Sequence, residues 1–109
     1  MPGVDDFLRT LGERIAALAS DTFKRHAAAA RRDAEEFLAR TRADLARWTQ
    51  LLADGQLTLD DFQWLVKARL DVAKLAALKQ AGLAKARLDG FRRALLETVL
   101  GTARELFGL

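Results

Sequence analysis

The chain predicts an all-α fold, an antiparallel hairpin of two long helices, from three observations. Mostly apolar residues recur at an eleven-residue interval in each half: Val4, Ile15, His26, Phe37 and Trp48, then Phe62, Ala73, Ala84, Leu95 and Leu106. One strong turn, Ala53-Asp54-Gly55-Gln56-Leu57-Thr58, separates the halves. The only proline is at position 2, so no proline interrupts either half. Eleven residues in three turns is about 3.67 per turn, near the unstrained helix, which predicts a nearly straight or slightly right-handed pair. The 109 residues read as a single helical domain: helix one over about 4–53, the turn at 54–58, and helix two over about 59–107.

Helix one should start near Val4, with Asp5 and Asp6 in the first turn, where the positive end of the helix dipole favours carboxylates. Opposite charges at helical spacing (Asp5 with Arg9, Asp21 with Arg25, Glu36 with Arg40) mark a solvated face. Ser20-Asp21-Thr22 is the weak point, three poor helix formers in a row. The expectation is a continuous or kinked helix, with a break at Ser20-Thr22 as the alternative. Gly55 suits the residue just past the helix end. Thr58 then caps helix two, with Asp61 three residues on and Asp60 also in the first turn.

Helix two carries Gly82, Gly90 and Gly101, each costing roughly 1 kcal/mol relative to Ala in a helix interior. Gly82, Ala86, Gly90, Ala94 and Thr98 follow at four-residue intervals, which predicts a small-residue groove open to a second helix; the alternative is that some of these glycines mark kinks. At about 100° per residue, Phe62, Val66, Leu70, Leu88, Phe91, Leu95 and Val99 form the main apolar stripe. Leu65, Val72 and Leu83 fall to one side, while Trp64, Leu75, Leu78, Leu96, Leu100 and Phe107 fall toward the opposite side. A lone hairpin would leave that second face wet, and two helices bury too little core on their own. The chain should therefore complete its core by binding copies of itself, or by folding back at Ser20 into three helices; self-association is the preferred reading.

Composition narrows the chemistry. Cysteine is absent and there is one histidine, which removes disulfides, thiol catalysis and thiolate metal sites. His26, in register with Ile15 and Phe37, reads as a packed seam residue. Ser20 is the only serine, and no nucleophile with a base, phosphate loop or paired catalytic carboxylate emerges, so an enzyme, a cofactor and a small-molecule substrate are not expected. The start Met-Pro-Gly-Val-Asp-Asp is unlike a secretory signal, and no window is apolar enough for a membrane span. A cytoplasmic location is expected, with a position peripheral to a membrane or granule surface as the variant. Charge is balanced over residues 1–54, nine basic against nine acidic, whereas 67–93 hold eight basic residues against Asp71 and Asp89. Lys67, Lys74, Lys85 and Arg92 share one side of helix two and are the candidate contacts for an anionic partner. Interleaved acids, and the lack of an aromatic stacking platform, argue against nucleic acid.

Asp54-Gly55-Gln56-Leu57-Thr58-Leu59-Asp60-Asp61-Phe62 resembles the exit half of an EF-hand loop, but Gln50 and Leu52 stand where the first two calcium ligands should be. Leu51 to Leu65 also resembles the short helical hairpin of SHOCT-type domains, which implies a helix-turn-helix over about a quarter of the chain. The functional expectation is a non-enzymatic self-assembly or scaffold protein, a homo-oligomer formed through helix two. Its expected contacts are Trp64, Leu88, Gly90, Phe91, Ala94, Leu95, Leu96, Val99, Leu100 and Phe107. The alternatives are a peripheral binder of anionic lipid or granule surfaces, similar in style to the Ala-rich phasins, and a stalk or adaptor of a larger complex.

Overall fold

A computed structural model of the chain describes residues 3–108, which are helical throughout apart from short connections. The first helix, α1 (Val4–Thr22), opens as its acidic first turn predicts, with Asp6 accepting a hydrogen bond from the Gly3 N–H at 3.1 Å. The helix stops at Thr22, and a 3₁₀ turn over Lys24–His26 leads into α2 (Ala27–Ala53). The break thus falls one residue beyond the weak stretch Ser20-Thr22. It turns the chain back, because Gly12 of α1 faces Leu38 of α2. Phe23, left outside both helices, is buried and anchors the corner.

The central turn forms as its residues dictate. Gly55 takes a left-handed φ of 76° and donates its N–H to Leu52 O (3.2 Å), while the Gln56 N–H donates to Leu51 O (2.9 Å). This pair of hydrogen bonds satisfies the Leu51 and Leu52 carbonyls at the end of α2. The Thr58 hydroxyl accepts the Asp61 N–H at 3.1 Å and starts α3 (Leu59–Asp71).

Here the structure departs from a continuous second helix, which is divided into α3, a short α4 (Ala76–Gln80) and α5 (Lys85–Phe107). The break between α4 and α5 has a local cause. Gly82, at φ 90°, repeats the Gly55 geometry: its N–H bonds Lys79 O, and the Leu83 N–H bonds Leu78 O. Gly82 is therefore a helix terminator rather than part of a packing groove.

The break at residues 72–75 has no such signal, since neither glycine nor proline is present. Leu75 adopts a left-handed φ of 49°, a conformation that costs a non-glycine residue roughly 1–2 kcal/mol. Two long-range polar contacts hold it. Asp33 of α2, only 3% exposed, accepts the N–H groups of Ala77 (3.0 Å) and Leu78 (2.8 Å), the first turn of α4. Arg92 of α5 donates to Leu70 O (3.1 Å) and Ala73 O (2.6 Å), the carbonyls at the end of α3. The free groups that a helix break creates are thus satisfied by an acid at one end and a base at the other. Burial of Leu75 and Leu78 adds to the offset.

These two breaks return α5 against α1. Phe7 stacks on Phe107 (centroids 6.0 Å apart), while Phe23 meets Phe91 edge-on at 5.0 Å. Residue numbers rise along α1 as they fall along α5, so the two run antiparallel. Arg14 ties the same pair through the Thr102 hydroxyl and Glu105. Helix α1 neighbours α2 and α5, and α3 neighbours the same two, an up-down-up-down bundle with α4 at one corner. The molecule measures 42 × 22 × 20 Å, its long axis matching the roughly 40 Å expected of the 27-residue α2.

The main stripe read from sequence is the core of this bundle: Phe62, Val66, Leu70, Leu88, Phe91, Leu95 and Val99 are all buried. Leu75, Leu78 and Leu100, assigned to a second wet face, are buried as well: the first two lie at the corner the breaks create, and Leu100 lies on α5, which packs against α1, α2 and α3. Much of the excess apolar surface of helix two is enclosed within one chain, while Trp64 and Val72 stay exposed.

Candidate functional site

The folding-back redistributes the residues expected to carry self-association. Leu88, Phe91, Leu95, Val99 and Leu100 lie in the chain's own core and present no surface to a partner. Phe107 is half-buried against Phe7. Trp64 alone of the ten is fully outside, at 70% exposure, with Gly90, Ala94 and Leu96 partly accessible. A solvated tryptophan on a well-packed helix is a large apolar area left in water.

Trp64 lies one helical turn before Lys67 and Ala68, on the outer flank of α3. That flank borders a recess of about 370 Å³ between α3 and α5, lined by Lys67, Leu70, Asp71, Asp89, Arg92, Arg93 and Leu96. Charges in it alternate: Lys67 pairs with Asp71 at 2.8 Å, and Arg92 with Asp89 at 2.9 Å. The four residues expected to form one anionic-partner row are therefore not on one surface. Lys67 and Arg92 line this recess, each beside its own carboxylate. Lys74 lines a different cleft, and Lys85 is exposed in the first turn of α5.

The mid-helix glycines of α5 face open space. A Cβ built on Gly90 or on Gly101 would meet nothing within 4 Å. Neither glycine is needed for packing inside the chain, so Gly90→Ala and Gly101→Ala are each expected to stabilise the folded monomer by about 0.5–1 kcal/mol. Urea unfolding midpoints of the two variants at low protein concentration measure this directly, and an unchanged or lowered midpoint would contradict it.

The second concavity lies between α2 and the corner joining α3 to α4, with a free volume of about 160 Å³. Asp33, Glu36, Phe37, Arg40 and Thr41 come from α2, and Arg69, Val72, Ala73, Lys74 and Leu75 from the corner. Sequence reading missed it because its two walls meet only through the break at 72–75. Nearby, Arg69 pairs with Asp44 and lies over the Trp48 ring at 6.0 Å. Among the described residues no group of three or more metal-ligating side chains converges, and no helix is long and apolar enough to cross a membrane. Comparison of the chain with family models, with curated proteins and with solved structures finds no match in any of the three.

Proposed function

We propose that the protein is a non-enzymatic helical association module, a bundle that pairs with a second copy through the outer flank of α3 and α5. The observation that carries this reading is Trp64, 70% exposed on α3 one helical turn before Lys67, which lines the α3–α5 recess. Leu96 supplies further apolar surface inside that recess. The unfilled space before Gly90, with Ala94 one turn on, supports close approach of another helix.

Charge supports a second copy over an anionic lipid or granule surface. The recess alternates Lys67, Asp71, Asp89 and Arg92, and a two-fold interface brings the same patch against itself, so each base can face an acid. A uniformly anionic surface would meet Asp71 and Asp89 as repulsive groups.

Sedimentation velocity over a concentration series tests the reading. The wild-type chain is expected to gain mass with concentration, and Trp64→Glu with Leu96→Glu to remain monomeric. Because Trp64 is exposed, Trp64→Glu alone should leave the unfolding free energy of the monomer within about 0.5 kcal/mol of wild type. A wild-type chain that stays monomeric, or an oligomer indifferent to both substitutions, overturns the proposal.

A further inference from the structure

We infer that the cleft between α2 and the α3–α4 corner binds a small carboxylate with an apolar body, of the size of benzoate. The site is separate from the flank around Trp64 and does not depend on self-association.

Size comes first. About 160 Å³ of free volume is close to the ~150 Å³ of an apolar cavity that admits one benzene ring. The walls suit such a body: Phe37 and Leu75 are buried side chains of the cleft, and Ala73 adds a third apolar surface. Val72, on the rim, is left 73% exposed, an apolar group that a seated ligand would cover.

Thr41 supplies a polar group to the same cleft. It is only 3% exposed and sits in the buried row of α2 among Phe37, Leu45 and Trp48. The interior threonines Thr49, Thr98 and Thr102 each donate to the carbonyl four residues earlier in their own helix. The Thr41 hydroxyl makes no such bond, nor any other among the described residues. No fully enclosed side-chain oxygen or nitrogen lacks a partner, so this hydroxyl reaches the open space of the cleft it lines. A buried donor turned from its helix into a ring-sized cleft is placed to bond a ligand oxygen.

Charge then selects the class. Three cations (Arg40, Arg69, Lys74) face two carboxylates (Asp33, Glu36). Both Asp33 oxygens are turned to the α4 N–H groups, which stabilise its charge at the corner without cancelling it, while Arg40 pairs with Glu36 at 3.1 Å and Arg69 with Asp44. Lys74 forms no ion pair among the described residues and is exposed at the cleft's edge. One uncommitted ammonium beside an apolar slot with one hydroxyl donor matches a monoanion. A phosphate dianion lacks the apolar body, and a neutral ring leaves the ammonium unused.

The experiment is a titration of the ¹⁵N-labelled chain, followed by amide shifts, with sodium benzoate, benzyl alcohol and inorganic phosphate as probes. Benzoate is expected to saturate with a dissociation constant on the order of 1 mM. Its shifts should concentrate at Phe37, Thr41 and Ala73 to Leu75. Benzyl alcohol and phosphate should each bind about tenfold more weakly, and Lys74→Ala should weaken benzoate about tenfold while leaving benzyl alcohol unchanged. Thr41→Val should weaken benzoate too, its fold checked by an otherwise unaltered spectrum. Trp64→Glu should change none of these values, which separates failure here from failure of the association reading. Non-saturating benzoate shifts, shifts centred elsewhere, equal binding of benzyl alcohol or phosphate, or indifference to Lys74→Ala would each overturn the inference.

Discussion

Replacing Phe91 with alanine is expected to destabilise the single folded chain by about 4 kcal/mol, the range for emptying a buried phenylalanine site. Phe91 is 1% exposed and meets Phe23 edge-on at 5.0 Å, with the rings at 87°. Its removal leaves a cavity where α5 crosses the corner between α1 and α2, and it forfeits an aromatic pair worth about 0.5–1.5 kcal/mol. The Arg87 guanidinium lies over the other partner, 5.0 Å from the Phe23 ring, so the whole corner loosens. Phe91→Leu keeps most of the volume and should cost about 1–1.5 kcal/mol, which keeps the comparison measurable if the alanine variant unfolds. Urea unfolding at low concentration reads both. Were Phe91 an interface residue instead, the substitution would lower the mass of the oligomer and leave monomer stability nearly unchanged.

Asp33→Ala is the second large effect, about 3 kcal/mol, because a charged acceptor of two backbone N–H groups is removed from a buried position. The lost bonds are those of Ala77 and Leu78, at 3.0 and 2.8 Å. Asp33→Asn should recover no more than about half of the loss, since an amide offers one oxygen and turns a donor toward the other N–H. The distinguishing readout is hydrogen exchange. Protection at Lys79 and Gln80 should fall in Asp33→Ala before protection in the middle of α5 does, because α4 is one short turn with no other N-terminal partner among the described residues. Uniform loss of protection, or a change below about 1 kcal/mol, would contradict a local role for Asp33 at the corner.

Legibility of the fold in the sequence follows the range of the forces involved. Gly55, Thr58 and Asp61 are legible because their effects are local: a left-handed glycine, a hydroxyl cap and its N–H all lie within a few residues. The apolar stripe from Phe62 to Val99 is legible because helical periodicity survives the breaks well enough to keep those side chains inward. Gly82 could have been read the same way as Gly55, since Leu78 and Leu83 supply the apolar pair that accompanies this type of helix end. The break at 72–75 could not. It is fixed by Asp33, 44 residues before its bonded partner Ala77, and by Arg92, 19 residues after Ala73. The candidate sites inherit that limit. Trp64 was legible as an apolar residue off the main stripe, while the cleft joins Thr41 to Lys74 only across the break. The same break moved Lys74 away from Lys67 and Arg92.

One chain encloses its own core by folding back at residues 23–26, at the 54–58 turn, and through the breaks at 72–75 and 81–84. Small-angle X-ray scattering, extrapolated to infinite dilution, tests it most directly. The bundle has a Cα radius of gyration of 13.7 Å, close to the roughly 13 Å of a compact domain of this length. Two uninterrupted helices of about 50 residues would form a rod about 75 Å long, with a radius of gyration near 22 Å. A dilute-limit value of about 14–15 Å is the expected result; a value near 22 Å, with the profile of a rod, would contradict the fold and return α5's apolar stripe to an intermolecular role.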